Sequence, residues 1–256
     1  MSCVAVIGGT GLADLSLTAS ALESRATPYG DASGDLISGE VAGHRVLFLS
    51  RHGNPPVVAA HAVNYRANLW LLQQAGAEQV IAVNTVGGIL PQMKPGDVLV
   101  PDQIIDYTWG REHTYSNQDD LKHVDFSYPY DRNLSAGLIA AAESEACGLV
   151  QAGVQIFRGG TYACTQGPRL ETAAEVQRYA REDCAVVGMT AMPEASLARE
   201  LSLPYACVCL VVNMAAGLAD DAAPISLTEM REINRRGMQR IQSLLGVFLH
   251  DLPLAD

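Results

Sequence analysis

Residues 207–217 read CVCLVVNMAAG, an apolar run of strand-forming residues that ends at an asparagine and passes into small residues. An uninterrupted apolar run of this length is typical of a strand that is buried on both faces of a sheet. Asn213 stands where the strand ends, and its carboxamide can donate and accept hydrogen bonds at once. Such a group suits a neutral heterocycle that carries both a carbonyl and a ring nitrogen. The stretch therefore predicts a buried sheet with a ligand at its edge.

Three segments upstream repeat this pairing of a short apolar strand with a loop of glycine, hydroxyl or cationic residues: VAVIGGTG at 4–11, VLFLSRHG at 46–53 and VIAVNTVGG at 80–88. Loops at the carboxyl ends of strands gather in one crevice of an open α/β sheet. Glycine N–H groups, threonine hydroxyls and the Arg51 guanidinium are donors that suit phosphate. Each loop alone is a weak signal, because Gly-Gly-Thr-Gly is more often just a tight turn. Together they favour an anion site.

Helical and strand patterns alternate along the rest of the chain. Strands are expected at 97–100, 103–106, 160–165 and 185–189, and helices at 63–74, 134–147, 172–179, 193–201 and 226–249. The links between them are short, and no Pro/Gly/Ser-rich linker interrupts the chain. Residues 109–133 are polar and aromatic and form an excursion from the core. We therefore predict one α/β domain that spans residues 1–256.

Composition excludes several classes of partner. The net charge of −11 disfavours a nucleic-acid backbone or an anionic membrane as partner. No apolar run reaches the ~20 residues of a membrane span. The six cysteines show no metal-ligand spacing and are expected to be small buried residues. The first residues show a strand pattern and no pattern of a cleavable leader, so we expect a reducing, cytoplasmic location.

Two common nucleotide-binding patterns are missing. The run after the first strand lacks the third glycine of G-x-G-x-x-G, and no strand with a terminal acid follows ~20 residues later. This disfavours a dinucleotide-dependent oxidoreductase. The chain contains no Gly-Lys-Ser/Thr of a P-loop either. His44, His113 and His250 are isolated in sequence, and surface positions are expected for them.

Six motifs, in order along the chain, resemble the trimeric purine nucleoside phosphorylase and methylthioadenosine phosphorylase family. They are GGTG at 8–11, RHG at 51–53, VNYRAN at 63–68, PGD at 95–97, GPRLET at 167–172 and GMTAMPE at 188–194. The resemblance extends from residue 4 to about residue 235. It implies one domain around a mixed, twisted sheet flanked by helices, usually assembled as a homotrimer, with the pairing of trimers into hexamers left open. The implied reaction is phosphorolysis of a purine–ribose bond, with inorganic phosphate as co-substrate and no metal or organic cofactor.

The resemblance also implies roles for individual residues. Phosphate is expected to contact six positions, namely Thr10, Arg51, His52, Thr85, the Val86 backbone and Thr190. Met189 is expected to lie against the ribose. Asn213 is expected to donate to purine N7, which stabilises the departing base and makes it a catalytic residue together with Glu171 and His52.

Two departures from the methylthioadenosine enzymes bear on the base. Those enzymes carry two aspartates, D-x-D, where this chain has Asn213 and Ala215. Asparagine can donate to O6 and engage N7, and Glu171 falls where 6-oxopurine phosphorylases accept from N1–H. A plain alternative is that Glu171 is a helix N-terminal carboxylate favoured by the helix dipole. The pair favours a 6-oxopurine such as hypoxanthine.

The 5′ end of the sugar depends on the start of the last helix. Inosine and guanosine phosphorylases place a histidine at the position that aligns with Leu227, and Met230 lies one turn further on. An apolar pair suits a 5′-methylthio group, although ordinary core packing of an amphipathic helix is a serious alternative. His123 falls where methylthio enzymes contribute a residue to the site of a neighbouring subunit.

We therefore expect phosphorolysis of S-methyl-5′-thioinosine to hypoxanthine and 5-methylthioribose 1-phosphate. Phosphorolysis of inosine or guanosine is the nearest alternative, followed by phosphorolysis of methylthioadenosine. A non-catalytic nucleoside-binding module is the alternative from another class. The complete set of phosphate, ribose and base residues argues against it.

Overall fold

The computed structural model describes residues 2–9, 20–22, 26–218 and 226–254. Its strands are β1 (Cys3–Gly8), β2 (Ser20–Leu22), β3 (Ala26–Thr27), β4 (Gly30–Asp31), β5 (Leu36–Val41), β6 (His44–Ser50), β7 (Gln79–Gly88), β8 (Val98–Val100), β9 (Gln103–Asp106), β10 (Ile156–Arg158), β11 (Thr161–Cys164), β12 (Cys184–Gly188) and β13 (Tyr205–Met214). Its α-helices are α1 (Tyr65–Gln74), α2 (Arg132–Glu143), α3 (Ala173–Arg181), α4 (Glu194–Glu200) and α5 (Leu227–Asp251). Short 3₁₀ turns cover Ala60–Ala62 and Glu145–Cys147.

Eleven strands of the described chain form one mixed sheet, with the central order β10-β8-β13-β7-β1-β6-β5-β2. Strands β6, β1, β7 and β13 are parallel neighbours. The carboxyl-terminal end of β7 also pairs antiparallel with β12. Strand β12 pairs in parallel with β11, and β11 pairs in parallel with β9. The expected fold, a mixed sheet flanked by helices, is confirmed.

Helices cover both faces of the sheet. One apolar cluster packs α1 and α4 against the face that carries Ala82 and Cys209. A second cluster packs α2 and α5 against the face that carries Val83 and Leu210. Because β1, β6, β7 and β13 run in the same direction, their carboxyl ends lie at one edge of the sheet.

The helix boundaries follow the capping residues. Asn64, Asp131, Thr172 and Ser226 each accept a backbone N–H of the first turn, so the helices begin one residue later. The helix expected at 134–147 is divided: α2 ends at Glu143, and a 3₁₀ turn follows it. The remaining helices occur where the sequence predicts them, to within two residues.

The prediction of a loop at residues 84–88 is wrong, because β7 continues to Gly88. Asparagine, threonine and two glycines are typical of a loop, but β13 pairs with β7 along this whole stretch and β12 pairs with its last two residues. Cys209 to Met214 of β13 pair with residues 84–88, and Val186 and Val187 of β12 pair with the two glycines. The strands β2, β3, β4, β5 and β10 were not predicted. Pairing between distant segments decides these elements.

The excursion at 109–133 contains no strand and no helix before Arg132, where α2 begins. Tyr115 ties it to the core, since its N–H donates to Glu200 and its hydroxyl to the Arg66 carbonyl. Across the described ranges, no helix has the length and apolar character needed to span a bilayer.

Candidate active site

A cavity of about 410 Å³ opens at the carboxyl edge of the sheet. Its wall is built from Gly9 after β1, from the residues after β6, from the end of β7, and from the loops after β11, β12 and β13. Helix α5 closes one side. The structure brings together ten of the thirteen residues predicted for the site: Arg51, His52, Thr85, Val86, Glu171, Met189, Thr190, Asn213, Ala215 and Met230. Thr10 lies outside the described residues.

The structure does not bring Leu227 to the cavity. Leu227 is 58% exposed at the first position of α5. Met230, Asn234 and Met238 line the cavity instead. They recur every four residues, the spacing that stacks side chains on one helix face, whereas Leu227 lies before this row. Met230 and Met238 are therefore the apolar residues of α5 that line the cavity, with the polar Asn234 between them, and the sugar-binding role of Leu227 stays a prediction.

His123 is exposed and does not line the cavity of its own chain. The role predicted for it concerns the site of a neighbouring subunit. That role stays a prediction.

Arg51 lies at the base of the cavity and is 1% exposed. Its Nε and Nη2 donate to the two Glu194 carboxylate oxygens at 2.7 and 2.8 Å, and Tyr205 donates its hydroxyl to the same carboxylate. The carbonyls of Val83 and Ile7 accept from the guanidinium at 3.1 and 3.4 Å. Four of its five N–H groups therefore have protein acceptors.

This pairing alters the expected electrostatics of the cavity. Burial alone would lower the pKa of the Arg51 guanidinium, but the charge and hydrogen bonds of Glu194 raise that pKa above its ordinary value. Arg51 is thus a permanent cation whose charge is balanced inside the protein. The sequence suggested that all the N–H donors of Arg51 could bind an anion. Among the described residues, the hydrogen bonds of Arg51 leave one N–H for a ligand. Binding of an anion in this cavity therefore depends more on neutral hydrogen-bond donors than the sequence indicated.

His52 has a fixed tautomer. Its Nδ1 lies 2.8 Å from the Val58 carbonyl, which can only accept, so Nδ1 carries the proton. Burial, and then the neighbouring Arg51 guanidinium, lower the pKa of the imidazole below its ordinary value. His52 is therefore neutral at pH 7, with Nε2 as an acceptor. It suits a ligand oxygen that bears a proton, such as the P–OH of monohydrogen phosphate.

The end of β7 contributes the neutral polar groups. Thr85 is exposed in a strand whose neighbours are buried, because its side chain faces the cavity. Asn84 is 2% exposed and lines the cavity, and neither polar atom of its carboxamide has a hydrogen-bond partner among the described residues. A buried carboxamide without partners is costly. The sequence prediction missed Asn84, although it opens the predicted loop.

Asn213 owes its position to a β-bulge. The register between β13 and β7 shifts between Val211 and Asn213, so Val212 is an extra residue in the ladder. Such a bulge re-aims the side chains that follow it and is frequent beside active sites. The Asn213 Nδ2 donates to the Met214 carbonyl at 2.7 Å, which fixes the carboxamide. Within the described part of the chain, its second N–H and its oxygen have no partner and can meet a ligand.

Glu171 precedes α3, and its carboxylate is held by Thr165. The Thr165 hydroxyl donates to Glu171 Oε1 at 2.7 Å. The helix-capping carboxylate is Glu175, which accepts from the Thr172 N–H at 2.7 Å and completes a capping box. Glu175 thus performs the helix-terminal function that was the alternative for Glu171. Glu171 instead lines the cavity.

Two glycines bring the loops around the cavity into contact. A Cβ at Gly188 would overlap the Tyr162 hydroxyl. Gly167 has a φ of +63°, and a Cβ there would lie 2.5 Å from the Met189 Sδ. A substitution at Gly188 would displace the buried Tyr162, and one at Gly167 would displace Met189, which lines the cavity.

The model of the phosphorylase superfamily matches residues 4–249. A probable S-methyl-5′-thioinosine phosphorylase of Pseudomonas syringae pv. tomato is 49% identical, over 96% of this chain and 98% of the relative. A 6-oxopurine nucleoside phosphorylase of Pyrococcus furiosus is 38% identical, over 99% of this chain and 94% of the relative. The methylthioadenosine phosphorylase of Schistosoma mansoni in complex with adenine superposes with a TM-score of 0.87 at 29% identity, over 97% of this chain and 91% of that one.

Proposed function

The chain belongs to the phosphorylase superfamily, and from this premise we propose that it converts S-methyl-5′-thioinosine and phosphate to hypoxanthine and 5-methylthioribose 1-phosphate. The membership confirms the resemblance inferred from the motifs. The protein is a pentosyltransferase of the nucleoside phosphorylase type. One observation above all supports the choice of substrate: Glu171 and Asn213 line the same cavity as Met230.

Phosphate binds beside β7 in this proposal. Thr85, Thr190 and Asn84 supply neutral polar groups, and Arg51 supplies its remaining N–H. The neutral His52 accepts a hydrogen bond through Nε2 from the P–OH of monohydrogen phosphate. Thr10 belongs to the same set by its motif. These groups hold the nucleophilic oxygen below the sugar, where its charge offsets the positive charge that develops at C1′.

The base leaves at the opposite end. A phosphate oxygen forms a bond to C1′ as the bond from C1′ to N9 breaks, and the bonding electron pair passes to the purine. The purine anion then takes up a proton from water and leaves as hypoxanthine. Asn213 stabilises that anion by donating its second N–H at N7, an interaction that strengthens as the negative charge develops. Glu171 accepts from N1–H, a proton that 6-oxopurines carry and adenine lacks. This pair supports hypoxanthine as the product.

The 5′ substituent lies against α5 in this proposal, and Met189 lies against the ribose. Met230 and Met238 are thioether side chains on the cavity face of α5, and they suit a methylthio group through apolar contact. Such contact discriminates by about 1–3 kcal/mol. The sugar is therefore less sharply specified than the base.

A second candidate is phosphorolysis of inosine or guanosine. Asn234 favours it, because this carboxamide stands between the two methionines on the same wall and suits a 5′-hydroxyl. The 38% identical relative from Pyrococcus furiosus bears the name of a 6-oxopurine nucleoside phosphorylase. The two candidates share the base and differ only in the sugar.

The test is a comparison of kcat/KM for methylthioinosine, inosine and methylthioadenosine at saturating phosphate. We expect methylthioinosine to lead and hypoxanthine to appear only when phosphate is present. Equal efficiency with inosine would favour the second candidate. A lead for methylthioadenosine would refute the assignment of base recognition to Glu171 and Asn213. Binding without base release would leave a nucleoside-binding module.

The assembly and location follow as parts of the proposal. One sheet extends from β1 to β13, which supports a single domain over residues 1–256. A homotrimer would bring His123 of one subunit to the site of the next. All six cysteines are buried free thiols, which supports a reducing, cytoplasmic compartment.

A further inference from the structure

Two loops that line the cavity are fastened to one buried side chain, Arg111. It belongs to the excursion between β9 and α2 and is 8% exposed. One of the loops follows β11 and leads to Glu171. The other follows β12 and contains Met189 and Thr190. The phosphorolysis chemistry derived above assigns no part to Arg111.

The Arg111 guanidinium reaches acceptors on both loops. On the first loop its Nη2 donates to the carbonyls of Thr165 and Gln166 at 3.1 and 2.9 Å, and its Nε donates to the Gln166 side chain at 3.1 Å. On the second loop its Nη1 donates to the carbonyls of Met189 and Met192 at 2.9 and 2.6 Å. Nη1 also lies 3.4 Å from the Tyr65 hydroxyl.

No carboxylate of the described residues forms an ion pair with Arg111, so neutral oxygens satisfy this buried cation. Only a planar fork with five donors can reach acceptors on two loops at once. Lysine has three donors at a single nitrogen and could not span them. The guanidinium thus fixes the distance between the loops.

Thr165 links this anchor to base recognition. Its carbonyl accepts from Arg111, while its hydroxyl donates to Glu171 Oε1 at 2.7 Å. Its N–H donates to the Gly188 carbonyl at 2.8 Å, immediately before Met189. The chain of contacts therefore runs from Arg111 through Thr165 to the Glu171 carboxylate.

We propose that Arg111 is a positioning residue that acts through Thr165, aligning the Glu171 carboxylate that recognises the base with the Met189 loop that holds the sugar. This inference rests on the proposed function, because it takes Glu171 as the acceptor from N1–H. A displacement of about 1 Å between a base and its sugar is enough to lower the rate strongly. Loss of the alignment should therefore alter base selectivity as well as stability.

Thr165→Val tests the link to Glu171, because valine keeps the shape and removes the hydroxyl. Thr165→Ser, which retains the hydroxyl, is the matched control. The readout is the ratio of kcat/KM for the 6-oxopurine nucleoside to kcat/KM for methylthioadenosine. We expect the ratio to fall about tenfold in Thr165→Val, as for the loss of one bond to a charged group, and to stay near wild type in Thr165→Ser. An unchanged ratio in Thr165→Val would overturn the proposal.

Arg111→Lys tests the anchor itself, and Arg235→Lys on the exposed face of α5 is the control. We expect the same fall in the ratio and a rise in the nucleoside KM, measured below the thermal transition of the variant. A purely structural role would lower the transition temperature and leave both kinetic quantities unchanged, which would contradict the proposal. If Arg111→Lys does not fold, the Thr165 pair still decides the matter.

The wild-type enzyme separates this inference from the proposed function. Failure of the proposed function appears as absent phosphorolysis, or as a preference for methylthioadenosine, before any residue is changed. Failure of the inference appears only in the variants. If inosine proves the better 6-oxopurine substrate, the ratio is formed with inosine and the test is unchanged.

Discussion

The cavity has two walls of different construction. The anchored wall comprises Arg51, His52, Glu171 and Asn213, and a hydrogen bond within the protein fixes each of these side chains. The helix wall comprises Met230, Asn234 and Met238 on one face of α5. The first wall offers directional polar groups, while the second offers mainly apolar surface.

The two kinds of wall imply different degrees of substrate specificity. A site built to hydrogen-bond a substrate rejects an analogue that leaves its polar groups unpaired, by far more than an apolar pocket rejects one lacking a methyl group. We therefore expect strong selection of the base at the anchored wall and modest selection of the 5′ substituent at the helix wall. Substitutions at the anchored wall should therefore change kcat/KM more than substitutions at the helix wall.

Glu171→Gln should have the largest effect. The neutral amide is a weaker acceptor for N1–H, so kcat/KM for methylthioinosine should fall about 100-fold, near the upper end for a hydrogen bond to a charged group. Methylthioadenosine, which has no proton at N1, should be less affected. Glu175→Gln is the matched control, since Glu175 caps α3. Equal losses in the two variants would contradict the assignment.

Asn213→Asp should shift the choice of base. An aspartic acid can protonate N7 and accept from a 6-amino group, so the ratio of kcat/KM for methylthioadenosine to that for methylthioinosine should rise about tenfold, the equivalent of one hydrogen bond. Adding Ala215→Asp should raise the ratio further. No gain in this ratio would mean that base selection lies elsewhere in the anchored wall.

His52→Gln should change how stability depends on pH. Because burial and Arg51 lower the folded-state pKa of His52, the unfolded chain binds a proton that the folded protein does not. The free energy of unfolding of the wild type should therefore decrease as the pH falls from 7 through 6.5, by at most about 1.4 kcal/mol per pH unit for one proton. Over the same pH range, the free energy of unfolding of His52→Gln should decrease less. Denaturant unfolding at several pH values measures this, and parallel curves for the two proteins would argue against a neutral, buried imidazole.

Met230→Gln should have a smaller effect, confined to the sugar. A polar side chain of similar length removes apolar contact with the methylthio group, so the ratio of kcat/KM for methylthioinosine to that for inosine should fall about fivefold, the lower end for an apolar contact. Selectivity for the base should stay unchanged. A change in base selectivity instead would show that the two walls are not independent.

Leu227→Gln should have the smallest effect. Leu227 is 58% exposed and lies outside the cavity, so the same ratio should stay within about twofold of wild type, as for a surface substitution. A loss as large as that of Met230→Gln would mean that Leu227 reaches the sugar in the complex with substrate. It would restore the pair expected from the sequence.

The residues of the anchored wall could be predicted from the sequence far better than the residues that hold them in place. Asn213 and the residues after β6 stand next to apolar runs, and a strand that ends in a polar residue is visible as a pattern. Glu194, Thr165 and Arg111 have no such signal, because they act on residues that are distant along the chain. Arg51 lies 143 positions from its partner Glu194. The pairing of Arg51, and with it the balanced charge of the cavity, could not be predicted.

For the helix wall, the sequence predicted the helix but not which of its residues line the cavity. Helical periodicity identified α5, but Leu227 was placed by the family resemblance, and Met230 only by its spacing of one turn from Leu227. Where a helix face meets a cavity depends on how the helix packs, and α5 packs against β13 and α2. The periodicity of α5 alone does not predict this packing.

Local sequence patterns suffice to predict most of the secondary-structure elements and the chemistry of the groups at the edge of the sheet, since apolar periodicity and side-chain donors are local properties of the chain. Tertiary structure alone decided which groups remain available to a ligand. It paired Arg51 with Glu194, extended β7 through an expected loop, and turned Asn213 toward the cavity by a bulge at Val212. The physical reason is that hydrogen bonds and strand pairing join residues far apart in sequence, and each buried polar group must find its partner in the folded protein.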